Sequence, residues 1–224
     1  MYIAIEGIKG TGKSTLIDEL APMLRTYCDE EEQQMALLSP TKPMPTTHVL
    51  EQDFLQRQHD DRYLQQLYAA RSNYHAQATD WQADVIVSDR SIFTSLSVRW
   101  QKAMQQGLCP TMYFAQVRQQ EHKIAIPDLV IHLDAPESVL LERYHARSRA
   151  YGKHEENIQA IQCFKQNYQQ LYHWLHTPDA YTVLGKSVAI QYFDTHHHTP
   201  KAICSAILAL ISQQKQREHL TIIV

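Results

Sequence analysis

Gly7-Ile8-Lys9-Gly10-Thr11-Gly12-Lys13-Ser14 is the stretch whose residue types and spacing speak most directly of chemistry. It matches G-x-x-x-x-G-K-[ST] at every fixed position. Glycines let successive backbone N–H groups turn inward around an anion. A helix opening directly behind them adds its positive end at the same point. Lys13 is then placed to meet the β- and γ-phosphates of a nucleotide, and the Ser14 hydroxyl to ligate magnesium. Gly7, Lys9, Gly10, Thr11, Gly12, Lys13, Ser14 and Thr15 form the expected cradle for ATP and Mg2+. The chain has only six glycines and three of them sit in this loop, so the match is not a by-product of a glycine-rich composition.

A second constellation is Val85-Ile86-Val87-Ser88-Asp89-Arg90-Ser91, an acid–arginine pair at the end of an apolar run. In an open α/β sheet, ligands bind beyond the carboxyl ends of the strands. There Asp89 is expected to hold magnesium through water. Arg90 is expected to grip the phosphate of an acceptor. The competing reading of this pair alone is a surface salt bridge.

With Ile5-Glu6-Gly7 ahead of the glycine loop, the chain resembles the thymidylate kinase and deoxynucleoside kinase group. The resemblance runs from about Met1 to Ile211. Asp89-Arg90-Ser91 followed by Thr94-Ser95-Leu96 is similar to one motif of these kinases, with Ser91 where thymidylate kinases carry an aromatic residue and deoxynucleoside kinases a serine. Pro127-Asp128, an apolar strand, Leu133-Asp134 and then Glu142-Arg143 resemble another. The resemblance implies that Arg143, Arg147 and Arg149 fold over the ATP phosphates from a lid at about 147–156. It implies that Tyr68, Arg71, Ser95 and Tyr168 line the acceptor site, with Gln66 placed where deoxynucleoside kinases pair with the base. Tyr68 falls at the aromatic of a Phe-x-x-x-Arg helix motif. Ser72 falls at its arginine, and Arg71 comes one position early. Glu6 occupies the place of the general base of deoxynucleoside kinases, although thymidylate kinases carry a similar glutamate. Lys9 departs from the acids found in many thymidylate kinases. A homodimer is implied by analogy with the group.

These residues need a scaffold that brings them to one edge. Short apolar runs at Tyr2–Ile5, Met35–Leu38, Val85–Val87, Leu129–Leu133 and Ile190–Phe193 alternate with helical patterns, which predicts a five-stranded parallel sheet covered by helices on both faces. Helices are expected over Ser14–Arg25, where Pro22 should kink or end the helix. Further helices are expected over Asp61–Gln77, Pro136–Ser148 and Glu155–Leu175, and from Thr199 as N-cap through Ile211. Ser39–His48, with three prolines, reads as a loop. His196-His197-His198 reads as an exposed loop, because consecutive histidines point in different directions. Leu220–Val224 is an apolar run that suits an edge strand or an oligomer contact.

The 224 residues suit one α/β domain over 1–214 with a tail at 215–224. A net charge of −3 gives no drive toward nucleic acid or anionic membrane. Four cysteines without a Cys-x-x-Cys pair suit a reducing cytoplasm. The expected reaction is Mg-ATP-dependent phosphoryl transfer to a small nucleotide, with dTMP as first acceptor and a deoxynucleoside 5′-hydroxyl as the alternative. A GTP-binding switch lacks its Asn-Lys-x-Asp signature here. A nucleic-acid remodelling ATPase does not suit the acidic balance. An inactive nucleotide-binding regulator would carry the same motifs and consume no ATP.

Overall fold

The computed structural model describes residues 1–146 and 156–222, with side chains to residue 216. Five strands form one parallel sheet: β1 (Tyr2–Glu6), β2 (Met35–Leu38), β3 (Val85–Asp89), β4 (Leu129–Asp134) and β5 (Ala189–Asp194). Their order is β2-β3-β1-β4-β5. β1 is central and buried along its whole length. The chain moves out to β2, returns to β3 and then crosses β1 to reach β4. This reversal places the carboxyl end of β1 at the sheet's topological switch point.

Eleven helices are described: α1 (Lys13–Glu30), α2 (Val49–Gln52), α3 (Phe54–Arg57), α4 (Asp61–Gln77), α5 (Ile92–Val98), α6 (Trp100–Gln105), α7 (Pro110–Gln120), α8 (Glu137–His145), α9 (Ile158–Leu175), α10 (Pro178–Leu184) and α11 (Pro200–Ile222). Side chains alternate across each strand, so each sheet face collects its own core. Ile3 and Ile5 of β1 join Val85, Val87, Ile131 and Leu133 under α1 and α11. Tyr2, Ile86 and Val130 face the other way, onto α5, α7, α8 and α9. The same register puts Glu6 beside His132 and Ala4 beside Ser88 on that second face. Glu6, Ser88 and His132 therefore point toward α5 and α9.

The five strands agree with those read from the sequence to within two residues at each end. The expected helix end at Pro22 is corrected. α1 runs through it to Glu30. Only one intrahelical N–H bond is lost there, and Leu16, Leu20, Leu24 and Cys28 bury a continuous stripe that outweighs it. The edge-strand reading of the C-terminal run is also corrected, because the backbone of α11 is helical through Ile222. Ser39–His48 carries neither helix nor strand, as its prolines require.

Pro22→Ala restores the missing donor in the middle of a helix that is otherwise intact. The variant is expected to be more stable by about 1–2 kcal/mol in urea denaturation, the helical gain being partly offset by a freer unfolded chain. Unchanged or lower stability would mean that the helix has already adapted to the ring.

Candidate active site

The glycine loop leaves β1 at Gly7, whose φ is +134°. A Cβ there would sit 2.3 Å from the Leu133 carbonyl oxygen, which is backbone and cannot yield. Gly10 has φ +86°, and a Cβ would press to 2.8 Å on the Tyr144 ring. Thr11 Oγ1 donates to the Ile8 carbonyl at 2.9 Å, closing the turn. Lys13 is buried, and its Nζ donates to the Gly7 and Ile8 carbonyls at 2.8 Å each. Ser14 and Thr15 are exposed on the first turn of α1.

Two residues of α8 brace this loop from outside. Tyr144 donates its hydroxyl to the Lys9 carbonyl at 2.8 Å. Arg143 donates to the Gly10 carbonyl at 3.0 Å, and to Thr195 Oγ1 and the Thr195 carbonyl at 2.9 and 3.0 Å. It thus ties the glycine loop to the turn after β5. Lys9 forms an ion pair with Glu156.

Glu6 is fully buried at the end of β1. Four donors converge on its carboxylate. Oε1 accepts from Ser91 N and Ser91 Oγ at 2.8 and 2.7 Å. Oε2 accepts from Thr94 Oγ1 and Tyr168 OH at 2.6 and 2.8 Å. Arg90, between the end of β3 and Ser91, has φ +80°, a left-handed conformation that a non-glycine residue adopts at a cost of about 1 kcal/mol or more. The turn is held there by Arg90 N donating to the Ile5 carbonyl at 3.0 Å and by the grip of Glu6 on Ser91. Burial opposes the charge on Arg90, but the field of Tyr168, Glu6 and Asp89 outweighs it and raises the guanidinium pKa further. Among the described residues the Arg90 side chain makes one long hydrogen bond, 3.4 Å to Thr94 Oγ1. Asp89 pairs in register with Ile5, and its buried Oδ1 has no hydrogen-bond partner among the described residues.

His132 sits beside Glu6 on β4 and is buried. Its Nδ1 lies 2.9 Å from the Tyr172 hydroxyl. Its ring stands edge-on to Tyr168, Tyr172 and Tyr192, with centroids 4.9, 5.2 and 5.4 Å away. Burial pushes its pKa down to about 4, with Lys13 and Lys165 adding to the shift and Asp134 opposing it. The ring is therefore neutral near pH 7, and Tyr168 contacts both it and Glu6.

On α4, Arg71 points inward. Its Nε and Nη2 meet the two Glu51 oxygens at 2.6 and 2.5 Å, and its guanidinium lies over the Tyr68 and Phe54 rings at 5.2 Å. The pair joins α4 to α2. Burial would raise the Glu51 pKa, but the hydrogen bonds from Arg71 and from the Met44 amide overcome this and lower it.

A family model for thymidylate kinase matches residues 5–186. The chain belongs to the thymidylate kinase family. It is 28% identical over 180 residues to a thymidylate kinase of Acinetobacter baylyi, a match covering 77% of this chain and 85% of that protein. Two solved structures share its fold. One is thymidylate kinase from Candida albicans, with TM-score 0.59 and 17% identity, covering 96% of this chain and 92% of that one. The other is deoxyadenosine kinase from M. mycoides with bound dCTP, with TM-score 0.58 and 16% identity, covering 95% and 100%. At those identities the likeness is one of fold.

Within this thymidylate kinase family member, the strands bring together Gly7, Gly10, Gly12, Lys13, Glu6, Asp89, Arg90 and Tyr168 at one sheet edge. Other expected site residues stand differently. Gln66 is exposed and lies about 200° around α4 from Tyr68, so the two do not share a face. Arg71 is inward-facing, but its guanidinium is engaged by Glu51. Arg143 braces the glycine loop through carbonyls. Arg147, Arg149 and the lid, except Glu156, lie outside the described residues. His196–His198 are exposed, with His197 paired to Asp194 at 2.8 Å. Sequence reasoning passed over His132, Thr94 as a Glu6 partner, and Glu51. For His132 a signal was present, since it is the one ionisable residue inside an otherwise apolar strand.

The depressed pKa of His132 predicts an acid limb in stability. The unfolded imidazole protonates near pH 6.5 and the folded one only near 4, so stability is full above about 6.5 and falls as the pH drops toward 4. His132→Phe removes this contribution. The loss of unfolding free energy between pH 7 and 4.5 should shrink by about 2 kcal/mol relative to the parent chain. Parallel urea titrations at the two pH values check it, and equal losses in both proteins would refute a neutral buried His132.

Proposed function

We propose that this protein transfers the γ-phosphate of Mg-ATP to dTMP, giving dTDP. The observation that carries the choice of acceptor is the saturation of Glu6. A carboxylate has about four acceptor sites, and four protein donors fill them here. A nucleoside acceptor would require a positioned base to take the 5′-hydroxyl proton. Glu6 can do so only by breaking one of those bonds in a fully buried knot. A monophosphate brings an oxygen that is already ionised, and needs a cation more than a base. Arg90 suits that need, because its five N–H donors have one long side-chain partner among the described residues.

Lys13 and the loop N–H groups are the groups assigned to the ATP phosphates, with Lys13 exchanging its carbonyl partners for them. Magnesium fits the donor set. Asp89 offers a buried oxygen with no partner among the described residues, and Ser14 an exposed hydroxyl at the helix start. One or two protein oxygens completed by water and phosphate are what this ion takes, and it would neutralise charge on the transferring group. Tyr68 presents a partly exposed ring for stacking on a base. Among the described residues no helix is long and apolar enough to cross a membrane. A cytoplasmic location, with the four cysteines as free thiols, and a homodimeric assembly complete the proposal.

Glu6→Gln tests the acceptor. The amide carbonyl keeps both Ser91 bonds, and the Thr94 and Tyr168 hydroxyls can rotate to accept from the new NH2. Activity on dTMP is expected to fall by less than about tenfold, whereas loss of a general base costs roughly 10²–10⁴-fold. The measurement is steady-state turnover of parent and variant with dTMP and with thymidine in parallel. Efficient use of thymidine, negligible use of dTMP and collapse in Glu6→Gln would together replace this proposal with a nucleoside kinase.

A further inference from the structure

At the sheet edge opposite the glycine loop, a cleft of about 390 Å3 opens between the start of β1 and the segments that lead into β3, β4 and β5. Its floor is apolar. Tyr2, Ile86 and Ile124 are buried there, and the Trp81 ring stands edge-on to Tyr2 with centroids 5.5 Å apart. Trp81 is fixed by its Nε1, which donates to the Ala76 carbonyl at 2.8 Å. The rim is charged, with Arg118 of α7, Lys123 and Lys186 against Asp128. Both Asp128 oxygens are occupied. Oδ1 accepts from Lys186 Nζ at 2.5 Å and Oδ2 from Tyr2 N at 2.6 Å. The described partners of Arg118 and Lys123 are neutral. Arg118 Nη1 donates to the Glu121 carbonyl at 3.2 Å and to the Ile124 carbonyl, and Lys123 Nζ donates to Gln77 Oε1 at 2.5 Å. Three cations against one carboxylate leave these lining side chains with a net charge of +2. Parallel α/β sheets take their ligands beyond the carboxyl ends of the strands. This cleft lies at the amino ends, and Tyr2 on its floor is roughly 16 Å of extended chain from Gly7, so neither ATP nor the acceptor accounts for it.

We propose that this cleft is a second ligand site, distinct from the phosphate-binding edge, and that it takes an aromatic phosphate monoester. The ring would lie in the corner made by Trp81 and Tyr2, and the phosphate between Arg118 and Lys123. Trp81 and Tyr2 are set at 75° to each other, so a planar guest stacked on one ring meets the other edge-on, and both are favoured aromatic geometries. The charge selects the anion. A phosphate monoester carries about −1.5 to −2 near pH 7, which matches the rim, whereas a carboxylate would leave one cation uncompensated. The carbonyls on Arg118 Nη1 hold the guanidinium in place without neutralising it, and its Nε and Nη2 have no hydrogen-bond partner among the described residues. Those N–H groups are the fork that suits a phosphate. Asp128 does not repel the guest strongly, because Lys186 and the Tyr2 amide already hold its two oxygens. The volume lies within the roughly 300–1,000 Å3 range of small-molecule sites and suits a fused two-ring compound.

The probe is 1-naphthyl phosphate, titrated by calorimetry into the full chain with Mg-ADP and dTMP present at saturation to block the opposite edge. One-to-one binding is expected with a Kd of about 0.5 mM or tighter, the strength ordinary for a ligand of its size. Inorganic phosphate and 1-naphthol each keep only half of the contacts and should bind at least about tenfold more weakly. The carboxylate 1-naphthoate should also bind more weakly than the ester. Lys123 is exposed, so Lys123→Glu should fold normally, with an unchanged melting temperature, and bind the ester about tenfold or more weakly. Ala125→Trp fills the cleft and should abolish binding. Unchanged affinity in Lys123→Glu places the probe elsewhere and overturns the inference, even if Ala125→Trp fails to fold. Absence of saturable binding in the parent chain overturns it too, as does 1-naphthoate or inorganic phosphate binding as tightly as the ester. Failure of the parent chain to turn over dTMP would overturn the acceptor reading and leave this inference standing, because the two sites share no residue.

Discussion

A buried carboxylate is tolerable only when its acceptor sites are filled, and the filling of Glu6 organises this sheet edge. Its partners come from three places. Ser91 caps α5 just beyond β3, Thr94 lies in the first turn of α5 and Tyr168 reaches over from α9. Leaving two or three of those donors unmatched would cost several kcal/mol at about 1–3 kcal/mol each. The four bonds therefore fix where α5 and α9 sit against the central strand. They also fix the turn that sets Arg90 at φ +80°. A strained arginine beside a glycine loop is stable here because the carboxylate holds the residue that follows it.

The same constraint explains the arrangement of the neighbouring polar residues. Alternation along the strands sends Ile3, Ile5, Val85, Val87, Ile131 and Leu133 to α1 and α11. It sends Glu6, Ser88 and His132 to the opposite face, where hydroxyls are available. Ser88 donates to the Tyr2 hydroxyl at 3.0 Å, and His132 meets Tyr172 at 2.9 Å. One face is a dry core and the other a core with a polar seam. The seam runs from the glycine loop toward α9 and keeps the phosphate-binding edge rigid from below.

Much of this was legible in the sequence, for definite reasons. The strands are doubly covered, so they appear as unbroken apolar runs. The glycine loop is local, and its eight residues carry their own geometry. The Glu6 knot was not legible, because its donors lie 85, 88 and 162 residues away and nothing local marks them. Arg71 shows the opposite failure. A one-residue offset from a motif suggests a side chain turned aside, yet Glu51, 20 residues earlier, draws it inward. The helix does not end at Pro22, because the buried stripe of Leu16, Leu20, Leu24 and Cys28 outweighs the lost bond and the crowding of the ring. The short helices α5, α6 and α10 span six or seven residues each, too few to establish a period against the polar residues between them.

The electrostatic logic of the site follows from which cations are already committed. The chain carries a net charge of −3, so attraction for a nucleotide must be local. Lys13 and Arg143 both donate to carbonyls of the glycine loop, which are neutral acceptors. Arg71 is different, since its partner is a buried carboxylate in a bidentate pair, and separating the two would strand a charge at a cost of about 3–5 kcal/mol. A phosphate can displace a carbonyl from a lysine or an arginine because it offers full charge in exchange for a dipole. It cannot profitably displace Glu51 from Arg71. On the proposed reading, the cations therefore divide by the partners they hold. Lys13 and Arg90 are available to phosphates at the sheet edge, Arg143 sets the shape of the loop, and Arg71 secures the wall behind Tyr68.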